Sequence, residues 1–253
     1  MPAHKTSLSE NASCGLKTVR GSASRVVLLG RQGAGKGTQA ERLAAHFDVP
    51  RISTGDMFRA GADTGADLNG DLSRSMKAGE LMPDVVVVEM VRARLSHTDA
   101  IETGFVMEGF PRNVAQAEAL DSMLAPDGLD VAVELVVPSD LVRMRLASRR
   151  VCVDCGANYS VAQPPRSGWT CDVCGGQVVS RQDDNQAAID RRLALYEEQS
   201  APLIEWYRRT GRLAAVDGTG NPDTVSQNLL ATVTDHHARA QPNVGGLNQG
   251  GKS

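Results

Sequence analysis

The residues best suited to chemistry in this chain form a glycine-rich turn that ends in lysine. Gly30-Arg31-Gln32-Gly33-Ala34-Gly35-Lys36-Gly37-Thr38 follows the apolar run Val26-Val27-Leu28-Leu29 and leads into Gln39-Ala40-Glu41-Arg42-Leu43-Ala44-Ala45. The pattern is strand, turn, helix. Small residues let the backbone curl so that several N–H groups point to one place, and the helix N-terminus adds partial positive charge. Such a turn suits a polyphosphate, with Gly33, Ala34, Gly35, Gly37 and Thr38 cradling it and Lys36 supplying a full charge to the β- and γ-phosphates. The generic phosphate loop places Ser or Thr directly after the lysine. Here Gly37 intervenes and Thr38 follows.

Four cysteines form a second constellation. Cys152-Val-Asp-Cys155 and Cys171-Asp-Val-Cys174 are separated by fifteen residues, and each pair is followed by glycine, Gly156 and Gly175. Two such knuckles suit a tetrahedral structural Zn²⁺. The segment between them holds Pro164, Pro165 and Gly168 and is too poor in apolar residues to fold on a core, so a metal would replace that core. Iron in the same sulfur site competes with zinc. Two disulfides, or reduced and unliganded thiols, are the other readings. Disulfides are disfavoured because residues 1–24 lack the apolar core of a secretory signal. Cys14 has no partner in the pattern.

These groups need a scaffold. Strand-like runs occur at Arg25–Leu29, Arg51–Ser53, Gly104–Met107, Val131–Val137 and Leu213–Val216. Helical patterns cover Asp84–Leu95, Asn113–Leu124, Asp140–Arg149 and Asn185–Arg209. Strands separated by helices predict an α/β fold with a parallel five-stranded sheet and helices on both faces. Ligands then sit at the C-terminal ends of the strands, where the phosphate loop already lies. Val151–Arg181 interrupts the alternation as a small attachment. Residues 1–24 read as a flexible extension, and the stretch from 237 to 253 reads as a flexible tail.

The 253 residues suffice for one α/β core with inserts. With a formal net charge of −3, nothing global calls for nucleic acid or an anionic membrane, so any anion site must be built locally. No apolar stretch approaches the ~20 residues needed to span a bilayer. The expected location is cytoplasmic.

Further motifs complete a pattern: Ile52-Ser53-Thr54-Gly55-Asp56-Met57, Glu108-Gly109-Phe110-Pro111-Arg112, Arg149-Arg150 before the cysteines, Arg181-Gln182-Asp183-Asp184 after them, and Val216-Asp217-Gly218-Thr219 near the end. In this order, from about Arg25 to Leu230, the chain resembles the adenylate kinases of the long form, whose lid carries a zinc knuckle. The resemblance implies a P-loop core at 25–236, an AMP-binding arm at 54–82 and a lid at 151–181. It implies the reaction MgATP + AMP ⇌ MgADP + ADP, in a monomer. ATP is assigned to Gly33–Thr38, Arg145 and Arg149. AMP is assigned to Thr54, Arg59, Met82, Gly109, Arg112, Gln116, Arg181 and Arg192. Lys36, Arg112, Arg149, Arg181 and Arg192 are the implied catalytic set. Asp183 and Asp184 match acids at the lid hinge that position those arginines. Thr54 together with Gln116 points to AMP over other monophosphates.

The arginine assignment also stands on charge. Phosphoryl transfer asks mainly for alignment and positive charge around the oxygens. Arginine offers a planar fork and a charge that does not titrate. The chain has 27 basic and 30 acidic residues, so arginines distant in sequence must converge when arm and lid close and exclude water. Arg143 and Arg150 read as solvated surface residues instead.

Three positions depart from the family pattern. Glu108 stands where the family usually has Asp, a carboxylate close to the waters of Mg²⁺. Arg31-Gln32 replaces a small residue and proline, which predicts a looser turn and an added charge at the mouth of the site. Glu80 replaces a frequently basic position of the arm, which predicts slightly weaker AMP binding. The alternatives are a divergent monophosphate kinase with another acceptor and a weakly active ATP-binding paralogue. A zinc-dependent nucleic-acid module is opposed by the few basic and aromatic lid residues (Tyr159, Arg166, Trp169). A kinase for another small acceptor is opposed by the Ser-Thr-Gly-Asp arm together with Gly-Phe-Pro-Arg.

Overall fold

The structure is a computed structural model and describes residues 24–63, 74, 75, 78, 80–181 and 183–240. The N-terminal extension before residue 24, most of the arm between 64 and 79, Gln182 and the tail from 241 lie outside the described residues.

Five parallel strands form the main sheet: β1 (Ser24–Leu29), β2 (Arg51–Ser53), β3 (Gly104–Glu108), β4 (Val131–Val136) and, last in the chain, β8 (Leu213–Asp217). Their order is β2-β3-β1-β4-β8. β1 is therefore central, flanked in parallel register by β3 (Val26↔Val106) and β4 (Val26↔Val131). The strand order reverses across β1, and the crevice at such a switch point is where ligands bind in open α/β sheets.

Side chains alternate along β1. Val26 and Leu28 join a core on one sheet face with Leu43, Val142, Leu146, Ile189 and Leu229. Val27 and Leu29 join a second core with Phe58, Val91, Phe105, Leu120 and Tyr207. Both faces are covered, so the central strands β1, β3 and β4 are mostly apolar along their length, as buried parallel strands are. Burying each large side chain of these cores stabilises the fold by roughly 1.5–3 kcal/mol.

Among the described residues the helices are α1 (Lys36–Phe47), α2 (Thr54–Asp63), α3 (Asp84–Leu95), α4 (Thr98–Thr103), α5 (Val114–Leu124), α6 (Ser139–Ser148), α7 (Gln186–Arg209) and α8 (Pro222–Ala240). Two expected boundaries move by one residue for a definable reason. Asn113 and Asn185 are extended N-caps, each accepting from the backbone N–H three residues on at 2.9 Å. The 24 residues of α7 run from the lid to the far core, with Ile189 and Leu193 on one core and Leu203, Ile204 and Tyr207 on the other. α8 continues to Ala240, past the expected start of the tail at 237. His237 lies within that last stretch, its ring against Phe47 and its Nε2 3.5 Å from Asp130.

The attachment is a separate three-stranded antiparallel sheet, β6-β5-β7, made of β5 (Arg149–Cys152), β6 (Asn158–Ser160) and β7 (Val178–Ser180). Its own core is small: Cys152, Cys171 and Val178, with Ala157 and Tyr159 packed against them.

Candidate active site

The turn after β1 is built as the sequence predicts. Gly35 caps α1 at φ 98°, a left-handed conformation that L side chains rarely adopt, and the first helical residue is Lys36. The Lys36 ammonium folds back onto the loop and donates to the carbonyls of Gly30 at 2.7 Å and Arg31 at 2.9 Å. Burial, resisted by Glu108 and assisted by Arg112 and Arg149, pulls its pKa down to about 8. A half-buried cation whose hydrogen bonds go to loop carbonyls is poised for an anion.

One cleft of about 2040 Å³ opens over this turn. Its lining brings together Lys36 and the loop from α1, Thr54 and Arg59 from α2, Met82 and Gln116 from either side of the arm opening, and Arg112 after β3. Arg145, Arg149, Arg181 and Arg192 approach from the lid side. Each nucleotide residue expected from the sequence lines this one cavity, whatever its distance along the chain.

Two aspartates organise the lid-side arginines. Asp183 accepts from Arg181 Nε at 2.6 Å and from Arg192 Nη2 at 3.0 Å. Asp184 accepts a fork from Arg149, Nε and Nη2 both at 2.6 Å. Bidentate pairs of this kind fix the plane of the guanidinium as well as its position. Burial would raise the Asp183 pKa, but Arg181, with Arg192 and Arg149 behind it, holds it at about 2. Arg112 is fixed from another side, its Nε donating to the Gly109 carbonyl at 2.7 Å. Arg145 stands apart, near Thr219 and Asp217 at the end of β8.

At the other end of the cleft, Thr54 is fully buried and its Oγ1 has no hydrogen-bond partner among the described residues. It faces Gly109, whose φ is 82°; a Cβ there would lie 2.5 Å from that hydroxyl oxygen. A side chain at 109 is therefore excluded twice, by backbone and by space. Gln116 is buried, accepts from Arg112 N at 2.9 Å and donates to Asp84 at 2.6 Å. Arg59 pairs with Asp56.

Arg51 is a site residue that sequence reasoning missed. Its Nη2 lies 2.9 Å from Glu108 and 2.8 Å from Asp56, and it lines the cleft beside the loop. Burial would lower its pKa, but Glu108 and Asp56 outweigh burial and raise it. Ser53↔Glu108 and Arg51↔Val106 are register partners of β2 and β3, so strand alternation places Arg51 and Ser53 on one face. The register could not be read from sequence.

One departure takes a different form from that expected. Arg31 does not add charge at the mouth. Its guanidinium turns away, pairing with Glu197 of α7 and covering the Tyr196 ring at 5.1 Å. Glu80 meets Arg191 at 3.3 Å. Of the two arginines read as surface residues, Arg143 pairs with Asp190 in solvent, whereas Arg150 is half-buried, lying over the Trp169 ring and donating to the Arg149 carbonyl at 2.8 Å.

In the lid, the Sγ atoms of Cys152, Cys155, Cys171 and Cys174 all lie within 4.8 Å of one another. Cys152–Cys174 and Cys155–Cys171 are 3.5 and 3.6 Å apart. A tetrahedral ion with metal–sulfur bonds of about 2.3 Å needs sulfur–sulfur edges of about 3.8 Å, so the donors fit a metal. The Tyr159 hydroxyl, 3.3 Å from Cys171 Sγ, and Val173 N, 3.4 Å from it, supply outer hydrogen bonds. The thiols are free rather than joined in disulfides.

Comparison with known proteins agrees with this geometry. The family model for adenylate kinase matches residues 28–212. An adenylate kinase of Thermodesulfovibrio yellowstonii is 46% identical over 210 residues, which is 82% of this chain and 97% of that protein. The adenylate kinase of Acidothermus cellulolyticus is 44% identical over 212 residues, 83% and 97% of the two chains. That of Streptomyces coelicolor is 44% identical over 211 residues, 81% and 96%.

Proposed function

The chain belongs to the adenylate kinase family, and on that premise we propose how its residues share the reversible transfer of a phosphoryl group from MgATP to AMP. The observation that carries the reading is the convergence of Lys36, Arg112, Arg149, Arg181 and Arg192 on one cleft.

Lys36 and the N–H groups of Gly33 to Thr38 hold the ATP phosphates, the lysine leaving its two carbonyls for the phosphate oxygens. Arg145 lies under the adenine of ATP. Thr54, Met82, Gly109 and Gln116 hold the AMP base and sugar side, with Arg59 and Arg112 on its phosphate. The buried, unpaired Thr54 hydroxyl supports a ligand there, since an orphaned polar group costs about 1–3 kcal/mol until it is bonded. The second amide proton of Gln116 is the donor for a base edge.

Transfer then needs no covalent step on the protein. Arg149, Arg181 and Arg192, aligned by Asp183 and Asp184, surround the moving phosphoryl group as the lid closes. Closure excludes water, which would otherwise accept the phosphoryl group. Mg²⁺, when bound with ATP, neutralises phosphate charge. The Thr38 hydroxyl and the Glu108 carboxylate are the oxygen donors that suit it. Glu108 Oε1 would lie 3.4 Å from a Cβ on Gly37 and so stands beside the loop. Cys152, Cys155, Cys171 and Cys174 hold a structural Zn²⁺ in place of a lid core. Four thiols kept for a metal suit a reducing compartment, and we place the chain in the cytoplasm as a monomer without nucleic-acid or membrane partners. None of the described helices is long and apolar enough to cross a membrane.

The test is ADP formation from MgATP and AMP by the parent chain, Lys36→Met and Arg112→Ala. Losses of at least about 100-fold in turnover are expected for both variants with unchanged melting points. Near-parental turnover in either would remove that residue from the catalytic set.

A further inference from the structure

We propose that Arg31 is a positioning residue for ATP, clamping the phosphate loop to helix α7 through its side chain while its backbone carbonyl holds the Lys36 ammonium. The proposal rests on the reading of Lys36 and its loop as the ATP phosphate site.

Arg31 is tied at both ends. Its carbonyl accepts from Lys36 Nζ at 2.9 Å and from Ala34 N at 3.1 Å, which closes the turn. Its guanidinium donates from Nε to Glu197 Oε1 at 2.9 Å, from Nη2 to the same oxygen, and from Nη1 to the Val137 carbonyl at 3.2 Å. The same group covers the Tyr196 ring, and the Tyr196 hydroxyl donates to Glu134 of β4 at 3.3 Å. Three elements therefore meet at one side chain: the loop, the end of β4 and α7.

Its position explains what the contacts do. Gly30 and Gln32 on either side of Arg31 line the nucleotide cleft, whereas the Arg31 side chain lines a small groove behind it with Tyr196, Glu197 and Arg208. Arg31 thus contributes no charge to the phosphates. It fixes where the loop carbonyls stand. Tyr196 lies one turn beyond Arg192 on α7, and residues four apart share a helix face. The clamp therefore sets the distance between the loop that holds ATP and the helix that supplies Arg192. A glycine-rich turn with no proline has many competing conformations. Four contacts to rigid elements restrict them at the residue that carries the lysine.

The geometry separates the two substrates. Loosening Arg31 disturbs the loop but none of Thr54, Arg59 or Gln116. Binding of a non-hydrolysable ATP analogue with Mg²⁺, and of AMP, is measured by calorimetry for the parent chain, Arg31→Ala, Glu197→Ala, their double variant, Arg31→Lys and Lys36→Met. Arg31→Ala is expected to weaken the ATP analogue about fivefold or more and AMP by less than about twofold. Glu197→Ala should weaken it less, the double variant should be no worse than Arg31→Ala, and Arg31→Lys should recover part of the loss. A role in stability alone would lower the melting point and leave both affinities in place, or weaken both alike, and either result overturns the clamp. Lys36→Met identifies which level failed. If it weakens the analogue while Arg31→Ala does not, the clamp alone is wrong. If it too leaves the affinity intact, the loop reading is wrong and the clamp falls with it.

Discussion

Arg51 Nη2 donates to Glu108 Oε1 at 2.9 Å across the β2–β3 pair. The same guanidinium reaches Asp56, which pairs with Arg59. Alternating charges thus run from the carboxylate beside the phosphate loop to the arginine assigned to the AMP phosphate. The Glu108 side chain is long enough for its carboxylate to reach Arg51. The two residues form an ion pair beside the phosphate loop.

Shortening Glu108 should therefore harm this chain. Glu108→Asp withdraws the carboxylate by about 1.5 Å and leaves Arg51 with Asp56 alone. Turnover is expected to fall about tenfold, and Arg51→Gln added to it should restore most of the loss. A Glu108→Asp enzyme faster than the parent contradicts the pairing. Steady-state kcat of the two single variants and the double variant decides it.

Lys36 makes ATP binding depend on pH. The buried ammonium, with a pKa of about 8, must be charged to meet the phosphates, and the phosphates in turn favour the charged form. ATP affinity should be steady below pH 8 and decline above it. Near pH 8 binding should take up a proton. Calorimetry in buffers of differing ionisation heat measures that uptake directly. Because the folded pKa lies below the ordinary lysine value of 10.5, the free protein should also gain stability as pH rises from about 8 to 10.5.

The lid metal should carry stability and not turnover. Cys152 and Cys171 are buried in a core of three residues, so losing the ion leaves little to hold β5, β6 and β7 together. Cys155→Ser is expected to lower metal content and to reduce the melting point by roughly 4–8 °C, with turnover at room temperature nearly unchanged. Mass spectrometry of the native protein should show one zinc per chain. Turnover lost at an unchanged melting point would place a cysteine at the substrates.

Thr54 offers a trade between stability and binding. Its hydroxyl is buried without a partner, so Thr54→Ala should leave the free protein as stable or slightly more stable. The same change should raise KM for AMP about tenfold and leave KM for ATP alone, because only the bound state uses the hydroxyl. A lower melting point with unchanged KM for AMP would assign the residue to packing.

Much of the site was legible because it is local or charged. The loop shows as glycines around Lys36, and the knuckles as paired cysteines. Asp183 and Asp184 lie beside Arg181 in sequence and bond it and its neighbours in space. Four of the five strands of the main sheet were legible as apolar runs between helical patterns, and β2 as a short strand-like run around Ile52. What stayed hidden depends on where a side chain turns after folding. Arg51 opens a three-residue strand, and only the register of β2 on β3 aims it at Glu108. Arg31 sits in the loop, yet its guanidinium reaches a helix 166 positions away. The three strands of the lid are three or four residues long, too short for an alternation to show. The last turn of α8 escaped because a polar run ending in His236-His237-Ala238-Arg239-Ala240 has no apolar stripe, although His237 packs on Phe47.

Whether this one cleft moves a phosphoryl group from ATP to AMP is tested most directly by ADP formation by the purified parent chain with MgATP and each of AMP, GMP, CMP and UMP offered separately. We expect rapid turnover with AMP and turnover at least about 100-fold lower with the other three, because a site that hydrogen-bonds one base leaves its buried polar groups unpaired with another. Faster turnover with a different monophosphate, or none with AMP, would contradict it.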